Sequence, residues 1–339
     1  VCGSIAVPAG ENSGGDLLWT VRAEAFHTFA LSNRRATPGE DAKMFQAAIS
    51  ELTTSRWSLA DEVDRLAAHG FESLALWRPK LSDVGPAAAA DILSAAGMRA
   101  SSLHWAGGFT GGDGRTFAES IDDAQEAIEA AAVVGAPVLV VHSGCRGGHT
   151  RAHAGRLLVQ ALETLAPAAA AAGVQLALEP VHAAAAPGYS FIARLGDALE
   201  IVERLAHPSI RLSLDLWQFG DAPELPRLLP RLAAVTALVQ VADRCGPPTP
   251  DMERLPAGRG SLALESAVFA LLARGFTGDF TFDPIGEAVA AMGYDRTLAD
   301  LRTTASSWSE RLLERQAWSH AAAAVRQAAG MPGLAPAGT

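Results

Sequence analysis

Acidic side chains in this chain stand where apolar runs end. The segment "LALEPVH" (Leu176–His182) is apolar up to Glu179, and Pro180 stops it there. "LSLDLWQ" carries Asp215 in the matching place, while "VTALVQVAD" (Val235–Asp243) and "GDFTFDP" (Gly278–Pro284) carry Gln240 and Asp283. Oxygen-bearing side chains on successive strands can converge on one point. Crowded carboxylates repel one another and resist ionisation unless a cation sits among them. A divalent metal is the economical answer, with Glu179, Asp215, Gln240 and Asp283 as its ligands. Oxygen donors favour manganese first, then magnesium, with cobalt and zinc as further choices. Singly, an acid at a strand end is more often a cap or a salt-bridge partner. Asp243 reads that way, bonding loop amides or Arg244.

Such convergence needs strands that lie side by side. Short apolar segments recur at Phe45–Leu52, Phe71–Trp77, Arg99–Trp105, Ala136–Gly144, Val174–Pro180, Ile210–Leu216, Val235–Asp243 and Gly278–Pro284. Between them run helical signals. "SLADEVDRLAAHG" opens on Ser58, places acids in its first turn and ends at Gly70. Others end at Gly97, Gly135 and Gly275, where glycine suits a left-handed cap, or just before Pro208. The alternation predicts an α/β fold: a (β/α)8 TIM barrel over 44–317, an N-terminal arm at 1–43, and an extra C-terminal helix and tail at 318–339. An open doubly wound sheet fits less well, because no strand leads into a glycine-rich phosphate turn. In such a barrel the active site lies at the C-terminal strand ends, where the oxygen donors fall.

Other side chains reach the same mouth. His104 and Trp105 end strand 3, and His142 ends strand 4. His142, His149 and His182 are candidate proton carriers, since imidazole titrates near neutrality; hydrogen-bonded loop histidines are the alternative. Trp105 and Trp217 could stack on the apolar face of a sugar or plug the barrel rim. Arg244 and the loop Ala257–Gly260 could hold a phosphate or carboxylate, or the loop could be merely flexible.

Composition excludes several classes. With 27 basic and 37 acidic residues, a formal net charge of -10 and no basic stripe, the chain is a poor match for nucleic acid. The 3 cysteines are too few for a disulfide framework or a cysteine zinc site and suit a reducing cytoplasm. No apolar run reaches membrane-spanning length, and no secretory signal is read at the start. The expectation is a cytoplasmic protein acting on a small molecule. The arm and the last helix would pack on a second subunit, giving a homo-oligomer, or close the barrel bottom.

The segments "ISELTTSRWSLADEV", "VVHSGCRGGHTRAHA", "LALEPVH", "LSLDLWQ", "LVQVAD", "LPAGRGSLAL" and "GFTGDFTFD" together resemble the xylose isomerase-like barrel family of sugar (phosphate) isomerases and epimerases. The resemblance covers about Phe45 to Leu313. It implies a metal set of Glu, Asp, His or Gln, and Glu on strands 5 to 8, falling on Glu179, Asp215, Gln240 and Asp283. Here Gln240 is a neutral donor where many relatives have imidazole, Asp283 is one methylene shorter than Glu, and Gln218 replaces a helper histidine. The resemblance also implies enediolate chemistry, with Glu179 and Asp283 as base and acid, and it turns the loops of His149 and His182 towards the mouth. His104, Trp105, Trp217, Gln218 and Arg244 would contact the substrate. The expected function is a metal-dependent sugar isomerase or epimerase. Alternatives are a lyase or dehydratase acting on a keto-sugar or keto-glycoside, and a non-catalytic binding barrel. DNA-repair hydrolysis is rejected, because glutamines stand where a multi-zinc site needs histidines.

Overall fold

The computed structural model describes residues 45–328. The expected arm at 1–43 and the end of the tail lie outside the described residues. Eight parallel strands close into a barrel in chain order: β1 (Gln46–Ser50), β2 (Ser73–Trp77), β3 (Arg99–Gly107), β4 (Val138–His142), β5 (Gln175–Leu178), β6 (Ile210–Asp215), β7 (Thr236–Val241) and β8 (Asp279–Phe282). β8 pairs back onto β1, with Ala48 opposite Thr281. Closure leaves no strand edge unpaired, and the strands are buried almost throughout, as a sheet covered by helices requires.

Side chains alternate across the strands. Leu139, Val141, Leu176, Leu178, Val239, Val241, Phe280 and Phe282 belong to the large layer packed against the helices. Val138, Val140, Ala177 and Leu238 form a smaller cluster on the opposite, inner face. The same parity carries His142, Glu179, Gln240 and Asp283 inward, one step beyond that cluster.

Local chemistry sets the helix starts. Ser58 accepts from the Asp61 amide at the head of Leu59–Ala68. Thr116 and Glu119 form a reciprocal capping box ahead of Phe117–Val133. The closing helix runs unbroken from Tyr294 to Ala328, through the position where a separate tail helix was expected to begin. Its Trp308 packs against Phe45 and Phe282. Among the described residues no helix is long and apolar enough to cross a membrane.

Two ionic clusters brace the barrel, one at each end. At the N-terminal strand ends Arg99 makes a two-pronged pair with Asp279 and reaches Gln46 at 2.9 Å. Beside β1 and β2, Glu51, Glu62 and Lys80 are buried together. Lys80 pairs with Glu62 and lies 3.9 Å from Glu51, which accepts from the Trp77 amide at 2.5 Å. Burial, reinforced by the Glu62 charge against the pull of Lys80, pushes the Glu51 carboxyl up to about 8.

Candidate active site

β5 to β8 deliver their polar residues to one end of the barrel. Asp215 and Gln240 are register partners on β6 and β7; Glu179 follows β5 and Asp283 follows β8. All four are buried. Their connections run through the protein itself. The Gln240 amide nitrogen donates to Glu179 Oε2 at 2.5 Å and to Ser213 Oγ at 3.0 Å. Asp215 and Asp283 are bridged by Arg254, whose Nη2 donates to Asp215 Oδ2 at 2.8 Å and Nη1 to Asp283 Oδ2 at 2.5 Å.

Arg254 is the residue that sequence reasoning missed. It arrives from the loop after β7, which folds back over the strand ends through two antiparallel bridges. One pairs Asp243 with Leu255, and the other pairs Arg254 with Ile285 beyond β8. Glu253, next to it, accepts from the amides of Glu287 and Ala288 at the head of the helix Glu287–Met292. The guanidinium lies over the Trp217 ring, 4.7 Å from its centroid. The only sequence signal was the charge imbalance itself: crowded acids require a cation, and an arginine answers as well as a metal.

The electrostatics follow from burial and this cation. Burial pushes the Asp283 carboxyl up to about 7, because the Asp215 and Glu179 charges offset much of the help from Arg254. Asp215 is raised for the same reasons, burial first. Burial works on Glu179 too, but the His142 ring, with His104 and Arg254, outweighs it and holds that carboxyl below its usual range. Burial drives His104 down to about 4, so it is neutral at physiological pH; its ring contacts Ser102 Oγ at 3.0 Å.

The four expected metal ligands are held by protein partners. Among the described residues no three histidine, cysteine, aspartate or glutamate side chains form a group that could hold a metal ion. The cause is visible: Gln240 turns a donor towards Glu179, and a guanidinium occupies the inner oxygens of Asp215 and Asp283. Buried atoms without a hydrogen-bond partner remain, namely Asp283 Oδ1 and both ring nitrogens of His142, but they stand on β8 and β4 and make no common ligand shell.

The expected substrate contacts divide. A cavity of about 360 Å³ beside β3 and β4 is lined by Trp105, His142, Cys145, Tyr189, Arg78 and Arg115, among others. His142 also lies 3.6 Å from Glu179 Oε1. The rings of Trp105 and Tyr189 pack against the His142 ring at 5.3 and 5.7 Å. The His104–Trp105 peptide is cis, and His104 lines a second cavity on which Trp105 and Tyr189 also border.

The remaining candidates are engaged elsewhere. Trp217 is buried under Arg254 and its indole donates to Glu253 O at 2.9 Å, so it offers no face to a sugar. Gln218 is buried and accepts from the His182 amide at 2.7 Å. Arg244 is engaged by Asp221, Trp217 O and Gly246 O. Asp243 takes up the amides of Arg244, Gly258 and Leu262, so the loop Ala257–Gly260 presents its Gly258 amide inward rather than to an anion. His149 Nε2 contacts Thr110 O at 3.1 Å, and His182 Nδ1 accepts from the Ala184 amide; neither lines the 360 Å³ cavity.

Residues 63–312 match the family described as xylose isomerase-like TIM barrel. The chain belongs to this family. Solved structures agree. Protein SMc04130 from Sinorhizobium meliloti 1021 is 28% identical, with a TM-score of 0.68 over 80% of this chain and 98% of its own. The IOLI protein, solved with a binding zinc atom, is 17% identical with a TM-score of 0.68, covering 79% of this chain and 99% of its own. The 3-keto-D-glucoside 4-epimerase YcjR from E. coli is 17% identical with a TM-score of 0.64, covering 76% and 99%. At such identities the last two share the fold. No curated protein matches the chain. The xylose isomerase-like barrel thus accounts for the strand order, and proteins of the same fold include one described as a 3-keto-D-glucoside 4-epimerase and one described as a D-psicose 3-epimerase.

Proposed function

We propose that this barrel is a sugar isomerase or epimerase that moves a proton next to a carbonyl, acting on an unphosphorylated ketose or keto-glycoside held in the cavity beside β3 and β4. The observation that carries the reading is His142. It lines that cavity, neither of its ring nitrogens has a hydrogen-bond partner, and it is backed at 3.6 Å by the buried carboxylate of Glu179. A carboxylate beside an imidazole stabilises the imidazolium formed when the ring accepts a proton. In isomerisation His142 takes the proton from the carbon next to the carbonyl and returns it on the same face to the neighbouring carbon, while the hydroxyl proton passes to the former carbonyl oxygen; in epimerisation His142 takes the proton and a second group returns one to the same carbon from the opposite face. Two-face delivery calls for a second acid, and Tyr189, which lines the same cavity, is the candidate.

The cavity walls favour a neutral sugar. Arg78 holds Asp123 with bonds of 2.8 and 3.1 Å, and Arg115 holds Asp113 at 2.7 Å and Asp123 at 2.9 Å. Each guanidinium therefore has its own carboxylate, which leaves N–H donors for hydroxyls and for a developing enediolate oxygen but no surplus charge for a phosphate dianion. Trp105 and Tyr189 supply the apolar face on which sugar rings stack.

Incubation in heavy water with unphosphorylated ketoses and 3-keto-glycosides tests this. Deuterium should enter the carbon next to the carbonyl, and His142→Gln should slow that entry about 10²–10⁴-fold, the range for a general base. Undiminished exchange in the folded variant removes His142 from the scheme. Release of an aglycone alongside exchange would turn the reading to a lyase, which begins with the same proton.

A further inference from the structure

We infer that Arg254 has taken over the position of the divalent cation in this barrel, so that the mouth is neutralised from within the chain and needs no metal ion. This holds whatever the substrate and stands apart from the isomerase reading. Three observations carry it. The guanidinium bridges the carboxylates that close β6 and β8, Asp215 at 2.8 Å and Asp283 at 2.5 Å, and so fills the place between them that a metal would take. Asp283 is one methylene shorter than the glutamate which the family resemblance implies, and this leaves room for a guanidinium between the two strands. Gln240 directs its amide nitrogen at Glu179 and Ser213, so the strand 7 side chain is engaged with its neighbours on strands 5 and 6 rather than held out to an ion.

Arg254 is also fixed as a resident cation would be. Its side chain is only 5% exposed, its backbone pairs with Ile285 in both directions at 3.0 Å, and its plane rests on Trp217. Arginine suits the role, since it keeps its charge when buried and its fork reaches two carboxylates at once.

The test is metal content and metal response of the full chain. Protein purified without chelator from manganese- and zinc-supplemented cells should carry well below one divalent ion per chain by elemental analysis. Its Tm should not change on chelator treatment or in millimolar manganese chloride, a concentration that would raise it by several degrees if a site bound the ion tightly. Arg254→Met frees Asp215 and Asp283 and should acquire a manganese-dependent rise in Tm, with circular dichroism verifying the fold. Arg254→Lys keeps the charge and should stay insensitive. One retained ion per wild-type chain, or a wild-type Tm that responds to manganese, overturns the inference; so does a folded Arg254→Met that stays indifferent. If Arg254→Met does not fold, wild-type metal content and Arg254→Lys decide. Deuterium exchange that appears only with added manganese also overturns it while sparing the isomerase reading. Failure of a metal-free, metal-insensitive protein to exchange any ketose removes the isomerase reading and leaves this inference standing.

Discussion

Arg254 joins two buried aspartates that no other charged side chain reaches with a hydrogen bond in the structure described. Removing one partner of such a group leaves an uncompensated charge in the interior, which costs about 3–5 kcal/mol. Arg254→Met should therefore lower unfolding free energy by that order in denaturant titrations, and adding Asp215→Asn and Asp283→Asn should recover part of the loss. If the triple variant is no more stable than the single one, the damage lies in packing on Trp217 instead. This scale also shows what the sequence could disclose. Glu179, Asp215, Gln240 and Asp283 were legible because each interrupts an apolar run at a strand end. His142 was legible for the same reason. Arg254 was not, because it lies in a loop, and only the antiparallel bridges of Asp243 with Leu255 and of Arg254 with Ile285 bring it over the barrel. For Trp217 the sequence left sugar stacking and rim packing both open, because an indole after a strand end looks alike whether a sugar or a guanidinium covers it; here Arg254 lies over it.

The elements behave as a set of close approaches between loops. Gly107, at the end of β3, has a φ of +136°, and a Cβ there would sit 1.9 Å from the carbonyl oxygen of His142. That contact is with backbone, so no side chain can swing away. Gly107→Ala should separate β3 from β4, lower Tm and displace His142, so that deuterium exchange falls more steeply than stability. A variant with lowered Tm but full exchange would show that the strand pair tolerates the shift. Asp243→Ala tests the facing loop: it strands three amides and should destabilise by roughly 1–3 kcal/mol, read by denaturant midpoint. Seven of the eight strands fall within the apolar segments read from the sequence, since burial on both faces makes each a continuous run bounded by turn signals; β3 runs on past Trp105 to Gly107. Helices such as Arg151–Ala172 and Leu225–Val235 were harder to see, because each carries an internal proline, Pro167 and Pro230, that reads as a breaker.

Over the whole molecule, ionic layers sit at both ends of the barrel, and β8 contributes to each, with Asp279 at one mouth and Asp283 at the other. The titration of the Glu51–Glu62–Lys80 group bears on stability between neutral and alkaline pH. Glu51 is raised from 4.5 to about 8 in the fold, so between those values the native state binds a proton that the unfolded chain has released. Stability from this group is then fully present below about 4.5 and is lost as pH rises through about 8. Tm should fall as buffer pH is raised from neutrality to 9, by an amount worth a few kcal/mol at most, and Glu51→Gln should flatten that slope. An unchanged slope in the variant would assign it to other groups.

The matched charges of the cavity wall bear on how a substrate finds it. With Arg78 and Arg115 each tied to an aspartate, the opening projects little long-range field, so encounter depends on diffusion and fit alone. Turnover of a neutral sugar should then be nearly the same in dilute buffer and at about 1 M salt, where ionic screening reaches about 3 Å. A phosphate-seeking barrel would slow markedly over that range; on the proposed reading this one answers to the pattern of hydroxyls and is indifferent to the brine around it.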